Sequence, residues 1–249
     1  MNATATRVGG IPVLSRSEAM AFASDEFGRW LDLLRGLTPE QWSAPTECEP
    51  WDVQAMTCHV LGATESHASL REMAHQMRAY RAAKTEPMID AMTALQIRDR
   101  SDLTPEKIVV RFERAAPRSV RARRRMPGLV RRMPMKVDSP FNNDGWRLGY
   151  LMDVIYSRDA WMHRVDISRA IGRAMVLTPE HDGRLVADVV AEWVRRHRKP
   201  VELTLTGPAG GSFVAGESGE DLELDAVEFC RILSGRAQGA GLLSTEVPF

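Results

Sequence analysis

The chain has 249 residues, 44% of them apolar, enough to furnish the core of one large domain or two modest ones. Basic and acidic residues balance at 33 each, so no global charge recruits nucleic acid or an anionic membrane. No long apolar run marks a membrane span, the N-terminal stretch lacks the basic start and apolar centre of a signal peptide, and the three cysteines fit a reducing compartment. The chain is therefore expected to be cytoplasmic. Cys48, Cys58 and Cys230 match no CxxC spacing or disulfide framework and read as small buried residues. Only 4 of the 33 basic residues are lysine, the bias of a GC-rich genome.

Residues 1–14, rich in Thr, Gly and Ala, read as a flexible arm. A first helix is expected from about Ser15 to Gly36, turning Met20, Phe27, Trp30, Leu31 and Leu34 inward. Thr38-Pro39-Glu40-Gln41 is a capping box with Pro at the first helical position, opening a short turn that ends near Trp42. Asp52 caps a helix predicted to run to about Ala83, with Val53, Met56, Val60, Ala63, Leu70 and Met77 on its inner face. His59 shares that face, where a lone histidine is usually a satisfied core residue. His67 and His75 follow too far along the axis to join it on one ligand.

Further helices are predicted over about 87–100 and 104–123. Between Arg121 and Lys136 lies a run of seven basic residues broken by Pro127-Gly128 and Pro134. It reads as a solvated basic linker more readily than as an anion-binding flap, and without interleaved aromatics it does not suggest nucleic-acid binding. A long helix then spans about Trp146 to Ile171, its inner stripe marked by Leu148, Leu151, Met152, Ile155, Met162, Ile167 and Ala170. Asp159, His163 and Asp166 fall on this same stripe. An acid and an imidazole at i and i+4 point the same way, so they can grip one metal ion, or form a buried hydrogen bond that steadies the helix packing.

Thr178 caps another helix, to about His197, and from Pro200 the texture changes to period-two alternation. Val201–Thr206, Ser212–Gly216 and Leu222–Leu224 read as a small antiparallel meander, after which Asp225 caps a last helix, Ala226–Leu233. A boundary is placed near 173–178. The fold expected is α+β: helical over 15–175, then a small α+β domain with a short antiparallel sheet over 176–249.

Several of these stretches together resemble the mycothiol-dependent maleylpyruvate isomerase family of the DinB-like superfamily. They are Leu37–Trp42, Trp51-Asp52-Val53 leading to His59-Val60-Leu61-Gly62, Arg158–Ile167, Ala170–Arg173 and Phe229–Arg236, in the family's order and over nearly the whole chain. The resemblance implies a DinB-like four-helix bundle holding a divalent metal, usually zinc, through residues that correspond to His59, Asp159 and His163. It implies an arginine, here Arg236, that would hold a substrate carboxylate. It also implies mycothiol as the thiol cofactor, a small electrophilic substrate and, with the GC-rich bias, an actinobacterial source. The family's acid at the position of Asp159 is Glu, one methylene longer.

Two imidazoles and a carboxylate leave a metal position open, the arrangement of a catalytic zinc rather than a structural one. A thiol entering there would be held as thiolate, for cis-trans isomerisation or for S-transfer. Asp166, one turn past His163, would accept from the ligand imidazole, or else pair with Arg169 or Arg173. A hydrolase of thiol conjugates and a non-catalytic scaffold with a structural polar triad remain as alternatives, and the oligomer is a monomer or a homodimer.

Overall fold

The computed structural model describes residues 5–83, 88–135, 141 and 144–249, so Lys136 lies outside the described residues. The chain forms two compact units, Ser15–Arg173 and a second made of Met1–Leu14 with Ala174–Phe249. The fold is α+β, mostly helical with one small sheet.

In the first unit, local chemistry at the helix starts sets the elements. Helix α1 (Arg16–Arg35) opens with a capping box in which Ser15 Oγ accepts from the Glu18 N–H at 3.2 Å. Thr38 and Gln41 do the same for α2 (Pro39–Trp42). The Asp52 carboxylate accepts from the Ala55 N–H at 2.7 Å and starts α3 (Val53–Ala68). The single helix expected from Asp52 to Ala83 is instead two. Ser69 is extended (φ −144°, ψ 119°), and its hydroxyl accepts from the Glu72 N–H at 3.3 Å to open α4 (Leu70–Ala83). A serine that can bond a nearby N–H competes with the helical ladder, and here it ends one helix and starts the next.

Helices α5 (Met88–Arg98) and α6 (Pro105–Arg125) follow, then the short α7 (Gly128–Arg131). The long helix comes in three pieces, α8 (Leu148–Tyr150), a π turn at Leu151–Ile155 and α9 (Tyr156–Ala170). A π turn strains the regular ladder, and here the buried Arg123 guanidinium reaches the Met152 carbonyl, with Nε at 2.8 Å. Arg131 pairs with the Asp153 carboxylate in the same turn. The basic segment is therefore not simply a solvated linker. Arg123 and Arg131 brace the long helix, while Arg121, Arg124, Arg125 and Arg132 are exposed.

The core of this unit gathers Met20, Phe27, Trp30, Met56, Leu61, Ile108, Phe112 and Ile167 from α1, α3, α6 and α9. Phe112 stacks on Trp30 and meets Phe27 edge-on, with ring centres 5.8 and 5.4 Å away. Two polar ties fix α9 against α1: the Trp30 indole N–H donates to the Ala160 carbonyl at 2.8 Å, and Arg164 grips Glu26 through bonds of 2.7 and 3.0 Å.

The second unit corrects two expectations. The N-terminal stretch is not wholly a loose arm: Thr6–Arg7 (β1) pairs in parallel with β3 (Gly211–Ala215), and Val8 is buried. The sheet is mixed rather than an antiparallel meander. Its order is β1-β3-β2-β4, with β2 (Val201–Thr206) antiparallel to β3 and parallel to β4 (Glu220–Asp225). A meander would seat β4 on the outer edge of β3, but β1 already occupies that edge. β4 therefore joins the far side of β2, setting Leu222 and Leu224 beside Leu203 and Leu205. The turn from β2 to β3 needs Gly210, because a Cβ there would lie 2.0 Å from the Leu205 carbonyl oxygen. Helix α10 (Arg184–His197), entered through a π turn at Pro179–Gly183, and α11 (Ala226–Leu233) complete the unit, with Trp193 meeting Phe229 edge-on at 5.2 Å.

Glu26 and Arg164 are both buried, so removing one charge strands the other in a low dielectric. Glu26→Ala is expected to lower the unfolding free energy by about 3–5 kcal/mol in denaturant titrations. Glu26→Ala/Arg164→Met should recover much of the loss, and losses that simply add in the double variant would show the pair to be incidental.

Candidate metal site

The structure brings His59, Asp159 and His163 together. His59 comes from the middle of α3, and Asp159 and His163 stand one turn apart on α9. Asp159 Oδ1 lies 3.3 Å from His163 Nε2, and Oδ2 lies 3.7 Å from His59 Nε2. The two imidazoles face each other nearly at right angles with ring centres 5.2 Å apart, and the Trp51 ring lies 5.6 Å from His59 and 6.2 Å from His163.

These donors suit a small divalent cation. One ligand atom from each of the three residues lies within 4.8 Å of the others. Tetrahedral ligand atoms bound at about 2.0–2.1 Å stand about 3.3 Å apart, so the two carboxylate contacts match such edges with slight adjustment. The shorter Asp159 thus still reaches both imidazoles. Its side chain keeps 24% of its surface exposed, against 6% for His163, so the carboxylate is the accessible edge of the cluster.

Without a cation, a proton does the balancing. Burial works against the Asp159 carboxylate, but His163, by its charge and hydrogen bond, and then the neighbouring His59 hold it well below the usual carboxylate range. Burial likewise disfavours a charged His163, yet Asp159, and then Asp166, push it up to about 9. A cation held by the same three atoms would take that proton's place.

The fully buried Asp166 carboxylate accepts from His163 Nδ1 at 3.0 Å. Of the arginines considered as its partners, Arg169 also binds Glu47, and Arg173 donates to the Gly36 carbonyl. Cys48, Trp51 and Gln96 are neighbours that sequence reasoning missed. The Cys48 thiol lies 3.6 Å from Asp166 Oδ2, and with His163 it forms a second possible ligand group on the other edge of that imidazole. Gln96 Oε1 meets His59 Nδ1 at 2.8 Å. Trp51 was legible as the residue before a helix cap and as part of a family-like stretch, not as a neighbour of both imidazoles, and Gln96 reaches the site from α5 with no spacing to announce it.

His67 and His75 stay out of the cluster. His75 pairs with Asp99 at 2.6 Å on the surface, and His67 meets Tyr156 edge-on at 4.2 Å. Arg236 belongs to the second unit, where it follows Gly235 (φ 79°) past the end of α11 and its N–H donates to the Arg231 carbonyl at 2.9 Å. Cys58 and Cys230 are buried, and burial pushes the Cys58 thiol up to about 11.

The helical unit sets two imidazoles and a carboxylate at one point, and a small α+β unit completes the chain. The sequence matches the mycothiol maleylpyruvate isomerase N-terminal domain over residues 23–168, and the chain belongs to that family. Two solved structures share its fold. One is a mycothiol-dependent maleylpyruvate isomerase, 16% identical with a TM-score of 0.57, aligned over 94% of each chain. The other is a histidine-to-alanine mutant of a mycothiol-dependent maleylpyruvate isomerase, also 16% identical, with a TM-score of 0.56 over 93% of this chain and 92% of that one. No curated protein matches the chain by sequence. Among the described residues, no helix is long and apolar enough to cross a membrane.

Burial, and then the Arg123 charge, push His67 down to about 3 from an ordinary 6.5. The unfolded chain therefore binds the extra proton first, so the stability this ring contributes is complete above about pH 6.5 and is lost as pH falls towards 3. Denaturant midpoints are expected to drop between pH 7 and pH 4, and His67→Phe, which keeps the ring contact, should flatten that slope. An unchanged slope in the variant would assign the pH dependence to other groups.

Proposed function

We propose that this chain is a divalent-metal-dependent, mycothiol-dependent enzyme of the maleylpyruvate isomerase type, with zinc held by His59, Asp159 and His163. The observation that carries the reading is the meeting of those three side chains, from two helices a hundred residues apart in sequence, with one ligand atom of each within 4.8 Å of the others. Helices α1, α3, α6 and α9 are read as the bundle that frames the site, and the chain acts in the cytoplasm as a monomer or homodimer.

A metal held by His59, Asp159 and His163 would keep a bound thiol as thiolate for addition to an electrophilic double bond, which would give isomerisation if sulfur left again after rotation about the new single bond, and S-transfer if the adduct's carbanion took up a proton instead. The protein's part is to hold and orient. Asp166 fixes the His163 ring so that Nε2 faces the ligand position. The partly exposed Asp159 leaves an approach for a small molecule, while the Trp51 ring flanks both imidazoles. The resemblance further assigns Arg236 to a substrate carboxylate, through a bidentate contact that lysine cannot reproduce.

Zinc titration followed by metal analysis is expected to give one tightly held ion per chain. His59→Ala and His163→Ala should abolish stoichiometric binding while circular dichroism shows the helices intact. With mycothiol and a cis-configured keto diacid such as maleylpyruvate, loaded protein should yield the trans isomer or a conjugate by mass spectrometry. Arg236→Lys should raise KM for that diacid about tenfold or more. A wild type that takes up no stoichiometric divalent metal would remove the basis of the proposal.

A further inference from the structure

We infer that a chain of side chains, Gln96–Gln76–Glu72, whose two amides are buried, locks His59 in the tautomer that leaves Nε2 free for a ligand, and that Gly62 is the opening through which this chain reaches the imidazole. The inference rests on the reading of His59 as a metal ligand for its purpose, though not for its geometry.

The orientation follows from the fixed end of the chain. Glu72 Oε1 accepts from Arg100 at 2.7 Å, in a network where Arg100 also binds Glu65 at 2.6 Å. Burial opposes the Glu72 charge, but hydrogen bonds from Gln76 and Arg100 keep its carboxyl below the ordinary range, so it acts as an acceptor. One end of the Gln76 amide lies 2.9 Å from that carboxylate oxygen and 3.0 Å from the Gly62 carbonyl oxygen. Both neighbours only accept, so this end must be the NH2 group.

The other end of Gln76 is then its carbonyl oxygen, and it faces Gln96 at 2.9 Å. Gln96 must present its own NH2 there, which turns its carbonyl oxygen to His59 Nδ1 at 2.8 Å. Nδ1 therefore carries the ring proton, and Asp159 Oδ2, 3.7 Å from Nε2, lies too far to hold a proton there, so the Nε2 lone pair is left to a ligand. Gln76 is fully buried and Gln96 is 4% exposed, so reversing either amide would set like groups against each other with no water to relieve them.

Gly62 lies one turn beyond His59 on the same face of α3. A Cβ there would stand 2.6 Å from both Cβ and Cγ of Gln96, so any larger residue pushes α5 and its amide away from the ring. The break at Ser69 completes the arrangement, because it returns α4 alongside α3 and brings Gln76 to the Gly62 carbonyl.

The test uses the whole chain. Two-bond proton–nitrogen NMR of the imidazole rings, on metal-free protein at alkaline pH, is expected to show the Nδ1–H tautomer in wild type. Gln76→Met should give a mixture of tautomers, and chelator competition should show zinc binding about 10–100-fold weaker with the helical signal unchanged. Gly62→Ala should act in the same direction. A wild-type His59 in the Nε2–H form, or zinc affinities of both variants within twofold of wild type, would overturn the inference. A wild type with the Nδ1–H tautomer that takes up no zinc would support the chain of amides and overturn only the metal reading.

Discussion

Helix α9 is buried along almost its whole length, and it carries ionisable side chains into that burial. From Ser157 to Ser168 every residue but Asp159 is buried, including Arg158, His163, Arg164 and Asp166. A charge removed from water must be matched, or the fold loses several kcal/mol at that point. That requirement organises the helical unit. Arg164 calls Glu26 inward and with it α1; the braces from Arg123 and Arg131 hold the π turn that leads into α9; His163 is held between two acids. The polar stripe is a set of positional constraints as much as a site.

Much of the framework was legible because its signals are local. Ser15, Thr38, Asp52 and Asp225 each cap the helix that follows, as hydroxyls and carboxylates near free N–H groups do. The stripe on the long helix was equally plain, since helical period and side-chain type sufficed to put Asp159, His163 and Asp166 together. What escaped depended on distant partners. The apolar period runs on through Ser69, so nothing local distinguishes a broken helix from a continuous one. The strands were readable, but their pairing was not, because the edge that excludes a meander is filled by Thr6–Arg7 from the far end of the chain.

The site divides in the same way. The spacing of Asp159 and His163 pointed to a shared ligand or a plain hydrogen bond, and nothing within α9 chooses between them. His59 supplies the third donor, and the resemblance singled it out where its own helix did not. The amides behind it had no such help, since Gln76 and Gln96 are ordinary polar residues in two ordinary amphipathic helices. Their importance lies in direction: a carboxylate at one end of the row fixes every donor and acceptor up to the imidazole.

The break at Ser69 also bears on how the unit comes together. With α4 folded back, His59, Gln76 and Gln96 all belong to one stretch of chain, residues 59–96, whose contacts close short loops. Asp159 and His163 arrive from the far end of the segment 60–158, and their approach carries the larger entropy of a long loop. One side of the cluster is thus local structure and the other is a docking event. Anything that grips both sides ties off that long segment, and by binding only the closed form it adds to stability in proportion to the logarithm of its concentration.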